Sequence, residues 1–359
     1  MLKFHTLQVV EVQSETDHAV RVRFSIPGEL NDAYRFTQGQ HVNLRARVDG
    51  KTLRRSYSIC SAIDEPGLFI TVKKQPHGQF STYLNDQIKP GDELEVMTPN
   101  GRFHTKLDPQ HEKTYAAFAA GSGITPIISN VKSILAREPR SRCVLFYGNR
   151  SVAEVLLKED LEELKDRYLD RLSLHFVFSR EQQELPMHSG HLDAEKCQAL
   201  CKAFADPGEI DEAFICGPGT MIEELRTALI DLGLDSEHVH VERFAAVPRE
   251  HAKPVREAAT QTRTDQTDVT LIMDGRRSSF AVPAGSEDDL VEAALKQGID
   301  LPFSCRAGVC ATCRARLVEG DVDMAVNYAL EDWELEQGYI LACQSVPRTA
   351  TIVLDYDVL

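Results

Sequence analysis

Within ten residues, SCRAGVCATC from Ser304 to Cys313, the chain places three of its nine cysteines. Cys305, Cys310 and Cys313 follow a C-x4-C-x2-C spacing, and a fourth thiol, Cys343, arrives in YILACQSVP. Such a loop has four possible meanings: a disulfide knot, a zinc site, an iron–sulfur cluster, or no common role. The opening stretch, MLKFHTLQVVEVQSETD, has neither an apolar signal core nor a small-residue cleavage site, so the chain is expected to be cytoplasmic. Reducing conditions there disfavour a disulfide framework. Structural zinc sites pair two C-x2-C knuckles or add histidines, and Cys343 has no near partner. The spacing is that of four thiolates around a [2Fe–2S] cluster. Ala307, Gly308 and Ala311 keep bulk out of the loop, so backbone N–H groups can approach the sulfurs.

The rest of the chain must then supply electrons to such a centre. Its 359 residues suggest two or three domains. Hydrophobic residues make up 42% of the chain, ordinary for a globular protein, and no run is long and apolar enough to span a bilayer. A net charge of −15 argues against nucleic acid or anionic lipid as partners. The charge is uneven: residues 268–359 hold 16 Asp and Glu against 7 Lys and Arg.

The first hundred residues are short alternating runs split by Gly, Pro and Asp: LQVVEVQSET, AVRVRFSIP, HVNLRARVDG, RRSYSICSA, LFITVKKQ and DELEVMTP. Strands at this spacing predict a small antiparallel barrel. From Thr114 the pattern changes to near-continuous apolar strands, TYAAFAAG, RCVLFYGN, RLSLHFVFS and EAFICGPG, alternating with helical stretches, which predicts a parallel α/β sheet. A charged, proline-containing segment reads as a linker. After it, DVTLIMDGRRSSFAVP predicts a hairpin and SEDDLVEAALKQG a helix capped by Ser286. The expected division is a flavin-type barrel over 1–108, an α/β nucleotide domain over 109–245, a linker over 246–267 and the cluster domain over 268–359. Cys60 and Cys143 sit in strand runs and read as core. His188, His191, Cys197 and Cys201 have a spacing that zinc could use, but a helix would place Cys197 and Cys201 one turn apart on an apolar face anyway.

Two barrel segments together offer what a flavin needs. LRRSYSIC (Leu53 to Cys60) supplies a guanidinium and an aromatic ring, and HGQFSTYL (His77 to Leu84) supplies amides at a helix start. Each alone would pass for an ordinary strand or cap. AAGSGITPIISN makes a glycine turn at Gly121 and Gly123 and then a helix with Pro126 at its first position, a placement suited to dinucleotide phosphate. CGPGTM forms a second glycine turn on the same edge. In VFSREQ, Ser179 and Arg180 end a strand where a nucleotide ribose is read; Arg suits a 2′-phosphate, whereas the adjacent Glu181 would suit a free 2′-hydroxyl.

In this order the motifs resemble the ferredoxin–NADP reductase superfamily fused to a C-terminal plant-type [2Fe–2S] ferredoxin of the β-grasp fold. YRFTQGQH, LRRSYSIC, AAGSGITP, YGNR, DEAFICGP, HVERF and NYAL…GYILACQ are most similar to the reductases that serve ring 1,2-phenylacetyl-CoA epoxidase. Reductases of steroid 9α-hydroxylases and of other Rieske or aromatic-ring oxygenases share the order. The resemblance implies FAD (FMN being the alternative), NADPH and the cluster as cofactors. It implies that Arg55 holds the flavin pyrophosphate with Gly78 and Ser81, that Ser56 joins them, that Tyr57 stacks on the ring and that Ser58 reaches its N5. Gly121, Gly123, Thr125, Pro126, Arg150, Ser179 and Arg180 would bind the nucleotide. Cys216, Gly217 and Pro218 would lie beside the nicotinamide, and Glu242 and Phe244 would close the flavin's other face. Ser58, Cys216 and Glu242 are thus the implied catalytic residues, and Cys305, Cys310, Cys313 and Cys343 the metal ligands. The implied activity is electron transfer from NADPH through flavin and cluster to a di-iron oxygenase component. Glu331, Asp332, Glu334 and Glu336, near Cys343, would present negative charge to that acceptor.

Overall fold

The computed structural model describes residues 2–244, 266–283 and 285–358. It resolves into two compact units, Phe4–Phe244 and a C-terminal unit. The alternating runs of the first hundred residues become β1 (Phe4–Thr16), β2 (Ala19–Ser25), β3 (His41–Val48), β4 (Lys51–Ser58), β5 (Leu68–Lys73) and β6 (Glu93–Met97), with α1 (Gln79–Asp86) between the last two strands. They form one antiparallel sheet in the order β4-β3-β6-β1-β2-β5. Its two edges meet: Ile59 pairs with Ile70, and the Cys60 N–H donates to Phe69 carbonyl at 2.9 Å. Alternate residues Leu7, Val9, Val22, Phe24, Val42, Leu44, Ile70 and Val96 fill the interior, as a barrel with a period-two pattern requires.

The nucleotide half contains β7 (Thr114–Ala120), α2 (Ile124–Arg137), β8 (Arg142–Asn149), α3 (Lys158–Arg167), β9 (Leu172–Phe178), α4 (Ala194–Phe204), β10 (Glu212–Cys216), α5 (Gly219–Asp231) and β11 (Val239–Glu242). All four strand pairs are parallel, in the order β11-β10-β7-β8-β9. β7, β8 and β10 are almost wholly buried, which explains their continuous apolar runs. β9 is the sheet edge and is half-buried along Ser173–Phe176, so RLSLHFVFS is less enclosed than its composition predicts. Cys197 and Cys201 lie one turn apart on α4, fully buried, and Cys60 and Cys143 are also core.

α2 is buried along most of its length yet carries Ser129, Asn130 and Ser133 with no exposure. Each bonds a loop of the barrel. Ser129 donates to Ser61 carbonyl at 2.8 Å, Asn130 to Phe103 carbonyl at 2.9 Å, and Ser133 accepts the Ile63 N–H at 3.2 Å. These pairings meet the need of buried polar atoms for partners and lock the barrel to the sheet. An ionic group reinforces the junction: Asp160 receives Arg21 at 2.5 Å and Lys132 at 2.8 Å, and Lys132 also reaches Glu65 at 3.0 Å.

The C-terminal unit contains β12 (Gln266–Met273), β13 (Arg276–Pro283), α6 (Leu290–Lys296), β14 (Arg314–Glu319), β15 (Val322–Met324), α7 (Asp332–Glu336), β16 (Tyr339–Leu341), β17 (Ser345–Pro347) and β18 (Thr351–Asp355). Its main sheet runs β13-β12-β18-β14-β16 and is mixed, because the terminal β18 pairs parallel to β12. This is the β-grasp arrangement. β12 begins two residues before the domain start expected at 268, and residues 246–265 of the expected linker lie outside the described residues. The cap of α6 also differs from expectation. Asp289 accepts the Glu292 N–H at 2.8 Å, while Ser286 is engaged with Asp288 in the preceding turn. A capping side chain reaches an amide two or three residues on, and from Ser286 that reach ends at Asp289, before the first helical residue Leu290. Among the described residues no helix is long and apolar enough to cross a membrane.

Candidate active site and cluster loop

The sheet order reverses between β7 and β10, so the ends of these neighbouring strands open a crevice. β7 leads through a turn at Gly121 into α2. Gly121 has φ +53, and the buried Tyr147 hydroxyl donates to its carbonyl at 2.9 Å. Gly123 has no room for a side chain: a Cβ there would stand 2.1 Å from the Cys216 carbonyl oxygen. Both glycines are thus dictated by geometry. Helix α2 starts at Ile124, so Pro126 is its third residue and not its first. It is tolerated there because the first four N–H groups of a helix have no intrahelical partner. Thr125 is buried and donates to Ser122 carbonyl at 3.0 Å, so its hydroxyl builds the turn.

β10 ends at Cys216, followed by Gly217 and by Pro218, which caps α5. Cys216 is fully buried, and burial next to Glu242 pushes its thiol well above the ordinary range. Register places Cys216 beside Ala119 of β7 on one side and Glu242 of β11 on the other. Glu242 then reaches the barrel: Ser58, at the end of β4, donates to its carboxylate at 3.3 Å. Burial pushes the Glu242 carboxyl up to about 8, against a partial opposing effect of that hydrogen bond. Ser58 and Glu242, distant in sequence, are therefore brought together, with Cys216 next in the sheet. Phe244, two residues on, is exposed.

The flavin residues surround the same corner. Tyr57 stacks on Phe80 with ring centroids 6.2 Å apart. Arg55 is exposed on β4, its guanidinium touching only Arg54 carbonyl at 2.7 Å among the bonds described. Ser56 donates to the buried Asn43 at 2.6 Å. Gly78 caps α1, and a Cβ there would meet the Ser81 hydroxyl at 2.5 Å. Ser81 donates to Gly78 carbonyl at 3.1 Å and accepts the Gln75 N–H at 3.0 Å, so its hydroxyl ties the loop together. The first intrahelical bond runs from the Thr82 N–H to Gly78 carbonyl, which leaves the amides of Gln79, Phe80 and Ser81 for an anion. Two strands from β7, at the sheet edge, Ser179 and Arg180 follow β9. The Arg180 N–H donates to Arg150 carbonyl at 2.9 Å, and both arginine side chains are exposed. Glu181 accepts the Val152 N–H at 3.1 Å.

In the other unit, the cysteine loop winds through left-handed backbone at Arg306 (φ +53), Gly308 (φ +71) and Ala311 (φ +51). This winding turns amides inward. Cys305 sulfur accepts the N–H groups of Ala307 and Cys310, both at 3.4 Å. The Cys310 thiol and these amides draw Cys305 down to about 6. Cys313 donates to Cys343, which also receives Gln344 at 3.6 Å and the Gly308 N–H. Four sulfurs with inward amides fit a cluster that needs four thiolates and N–H donors. One expectation fails nearby. Glu334 is fully buried: it pairs with Arg314 at 2.7 Å and accepts the Glu331 N–H at 3.0 Å in a capping box. It presents no charge to solvent, whereas Glu331, Asp332, Glu336 and the chain's sole tryptophan, Trp333, do face it.

Three domain families match in order: an oxidoreductase FAD-binding domain over 6–105, an oxidoreductase NAD-binding domain over 118–227 and a 2Fe-2S iron-sulfur cluster binding domain over 272–348. Fold and site together define an electron-transfer oxidoreductase that takes electrons from a pyridine nucleotide through FAD to a [2Fe–2S] centre. The chain is 41% identical over 99% of its length, and 99% of the other, to a subunit of 1,2-phenylacetyl-CoA epoxidase from Escherichia coli (strain K12). It is 35% identical to the ferredoxin reductase component of 3-ketosteroid-9-alpha-monooxygenase from Mycobacterium tuberculosis (strain CDC 1551 / Oshkosh), over 98% of this chain and 95% of that one. Among solved structures, phthalate dioxygenase reductase has the same fold, with a TM-score of 0.59 at 22% identity and 98% coverage of both chains. An intact type IV self-sufficient cytochrome P450 monooxygenase gives 0.67 at 21% identity, over 98% of this chain and 41% of that larger one. The chain belongs to the family of oxygenase reductase components built from FAD-, NAD- and [2Fe–2S]-binding domains.

The Glu242 carboxyl supplies a pH test. An acid whose folded pKa is raised binds its proton more tightly in the native state, so the stability it confers is complete below its ordinary pKa and is lost as pH rises toward about 8. The melting temperature of the holoprotein should therefore fall by several degrees between pH 5 and about 8. Glu242→Gln, neutral at every pH, should flatten that part of the profile. A variant that keeps the full pH slope would place the responsible group elsewhere.

Proposed function

We propose that the chain is the NADPH-dependent reductase component of a multi-component oxygenase, delivering single electrons to a di-iron partner that acts on phenylacetyl-CoA. The observation that carries this reading is the meeting of Ser58 and Glu242 at the barrel–sheet crevice, in a chain that also holds the four-sulfur loop. The 41% identity to the epoxidase component supports the choice of acceptor. A second reading, service to a Rieske-type steroid hydroxylase, draws on the 35% identity to the ketosteroid monooxygenase component. We divide the chain into a flavin barrel over 1–108, a nucleotide domain over 109–245, a linker to 265 and a cluster domain from 266. Nine unpaired thiols support a cytoplasmic setting.

When bound, flavin and cluster supply the conversion of a two-electron donor into one-electron delivery. Arg55 and the free amides of Gln79 to Ser81 hold the flavin pyrophosphate, with Gly78 and Ser81 shaping the loop and Ser56 fixing the strand through Asn43. Tyr57 would cover one face of the ring, and the exposed Phe244 would approach the other. Ser58 would stand beside the reacting nitrogen, its hydroxyl proton directed to Glu242, whose carboxyl burial keeps largely protonated near pH 7. Gly121, Gly123, Thr125 and Pro126 receive nucleotide phosphate at the α2 start. Cys216, Gly217 and Pro218 form the edge on which the nicotinamide rests. Ser179, Arg150 and Arg180 read the adenosine ribose and its 2′-phosphate. Cys305, Cys310, Cys313 and Cys343 ligate the cluster.

Three outcomes test this reading. Cys310→Ser should lose cluster iron while bound flavin is still bleached by NADPH; undiminished iron in that variant defeats the ligand assignment. NADPH should exceed NADH in kcat/KM by on the order of tenfold, from a charge-assisted contact worth roughly 1.5–3 kcal/mol, and Arg180→Ala should erase the preference. Equal use of both nucleotides by the unaltered protein removes the case for a 2′-phosphate site. Electron delivery to the purified oxygenase, below saturation, should slow as salt rises, because the acidic face around Trp333 acts through complementary charge on association. Flavin-to-cluster transfer within one chain should not follow salt, and an acceptor step equally indifferent to salt assigns those acids to solubility.

A further inference from the structure

Around the two arginines that follow β8 and β9 stands one carboxylate with no role in the scheme above. Glu154 lies in the turn after β8. Its Oε2 is 3.0 Å from Lys73 Nζ, at the end of barrel strand β5, and 3.9 Å from an Arg150 terminal nitrogen. Lys73, Arg150 and Arg180 together hold its carboxyl below the usual range, Lys73 most strongly through its hydrogen bond. The surrounding backbone is stitched across the two loops: the Arg180 N–H to Arg150 carbonyl at 2.9 Å, and the Val152 N–H to Glu181 at 3.1 Å. Glu181 thereby accepts a backbone amide of the turn after β8. Glu154 is the acid placed between Lys73 and Arg150, on a side chain 30% exposed.

We propose that Glu154 is a specificity-determining residue: in the nucleotide-free protein its carboxylate provides the negative charge that the 2′-phosphate of a bound nucleotide takes over from it at Arg150 and Arg180. This deepens the reading of Arg180 as a 2′-phosphate site and rests on it. The physical reason is competition. Two anions cannot both be neutralised by the same guanidinium pair at no cost, so a resident carboxylate weakens binding of a phosphate dianion. A nucleotide lacking the 2′-phosphate leaves the Glu154–Arg150 contact in place and escapes most of this penalty. Lys73 gives the displaced carboxylate a partner on the barrel side, so it need not be left unpaired. Lys73 is followed by the loop that leads to Gly78, and the exchange therefore joins the nucleotide's adenosine end to the strand bearing the flavin phosphate loop. The same carboxylate thus sets the ratio between the two nucleotides and limits the tightness of the phosphorylated one.

The test is equilibrium binding of 2′,5′-ADP and of 5′-AMP to the FAD- and cluster-loaded protein by calorimetry, with Glu154→Gln and Arg180→Ala as variants. Glu154→Gln should tighten 2′,5′-ADP roughly twofold to fivefold, the scale of partly exposed charge pairs, and 5′-AMP by less, so that the ratio of the two dissociation constants widens. The gain should shrink as salt is raised. An unchanged or narrowed ratio in Glu154→Gln overturns the inference, and weakened 2′,5′-ADP binding shows instead that the carboxylate holds the arginines in place. If the unaltered protein fails to discriminate the two probes, or Arg180→Ala keeps full discrimination, it is the 2′-phosphate site itself that fails.

Discussion

The approach of Gly123 to the Cys216 carbonyl is the constraint on which the crevice depends. A Cβ at that position would lie 2.1 Å from a backbone oxygen, and neither strand end can retreat, because β7 and β10 are hydrogen-bonded neighbours packed on both faces. The start of α2 and the end of β10 are therefore held in van der Waals contact. The second glycine turn at Gly217 repeats the pattern beside it, where a Cβ would crowd Met221 and Ala120. Two helix starts thus face one edge of the sheet, which is what an anionic dinucleotide requires.

From that edge the geometry is carried to the barrel by α2. A helix between two layers is ordinarily apolar all round. This one buries Ser129, Asn130 and Ser133 because the barrel side offers it carbonyls and an amide in place of hydrocarbon. The bonds are directional, so they fix the rotation of the barrel against the sheet in a way apolar packing alone would not. The Ser58–Glu242 contact is the outcome: a hydroxyl from β4 and a carboxyl from β11 meet at 3.3 Å. Burial keeps that carboxyl largely protonated near neutrality, a state in which it can orient a hydroxyl without placing a fixed negative charge beside it.

The cluster loop solves a different problem. Here the backbone itself is bent into left-handed conformations at Arg306, Gly308 and Ala311, two of which carry side chains that disfavour it. The bending aims amides at the Cys305 sulfur, and bonds from the Tyr328 N–H to Gly308 carbonyl and from Gln344 to Arg306 carbonyl brace it. A side chain at Gly308 would be strained by its positive φ and would crowd the Val326 carbonyl oxygen, 3.0 Å from its Cβ.

Much of this is legible in the chain. The C-x4-C-x2-C spacing with Cys343, the period-two runs of the barrel, the apolar strands from Thr114 and the glycine turns at Gly121 and Gly123 follow from local chemistry, because side-chain period and allowed backbone angles act over a few residues. Local reading errs where two candidates lie close together. Ser286 reads as the cap of α6, but Asp289 stands at the right offset. Pro126 suits a first helical position, yet helix geometry begins two residues earlier. Glu334 reads as one of a group of exposed acids, and only the fold shows that Arg314 draws it inside. Glu154 and Lys73 carry no signal at all, since their meaning lies in a contact between a strand end and a turn far apart in the chain. The sequence by itself determined the kinds of element and the chemistry each could offer. Which distant groups face one another, Ser58 with Glu242 and Glu154 with Lys73, was decided only by tertiary structure, because burial and pairing depend on layers that no local window contains.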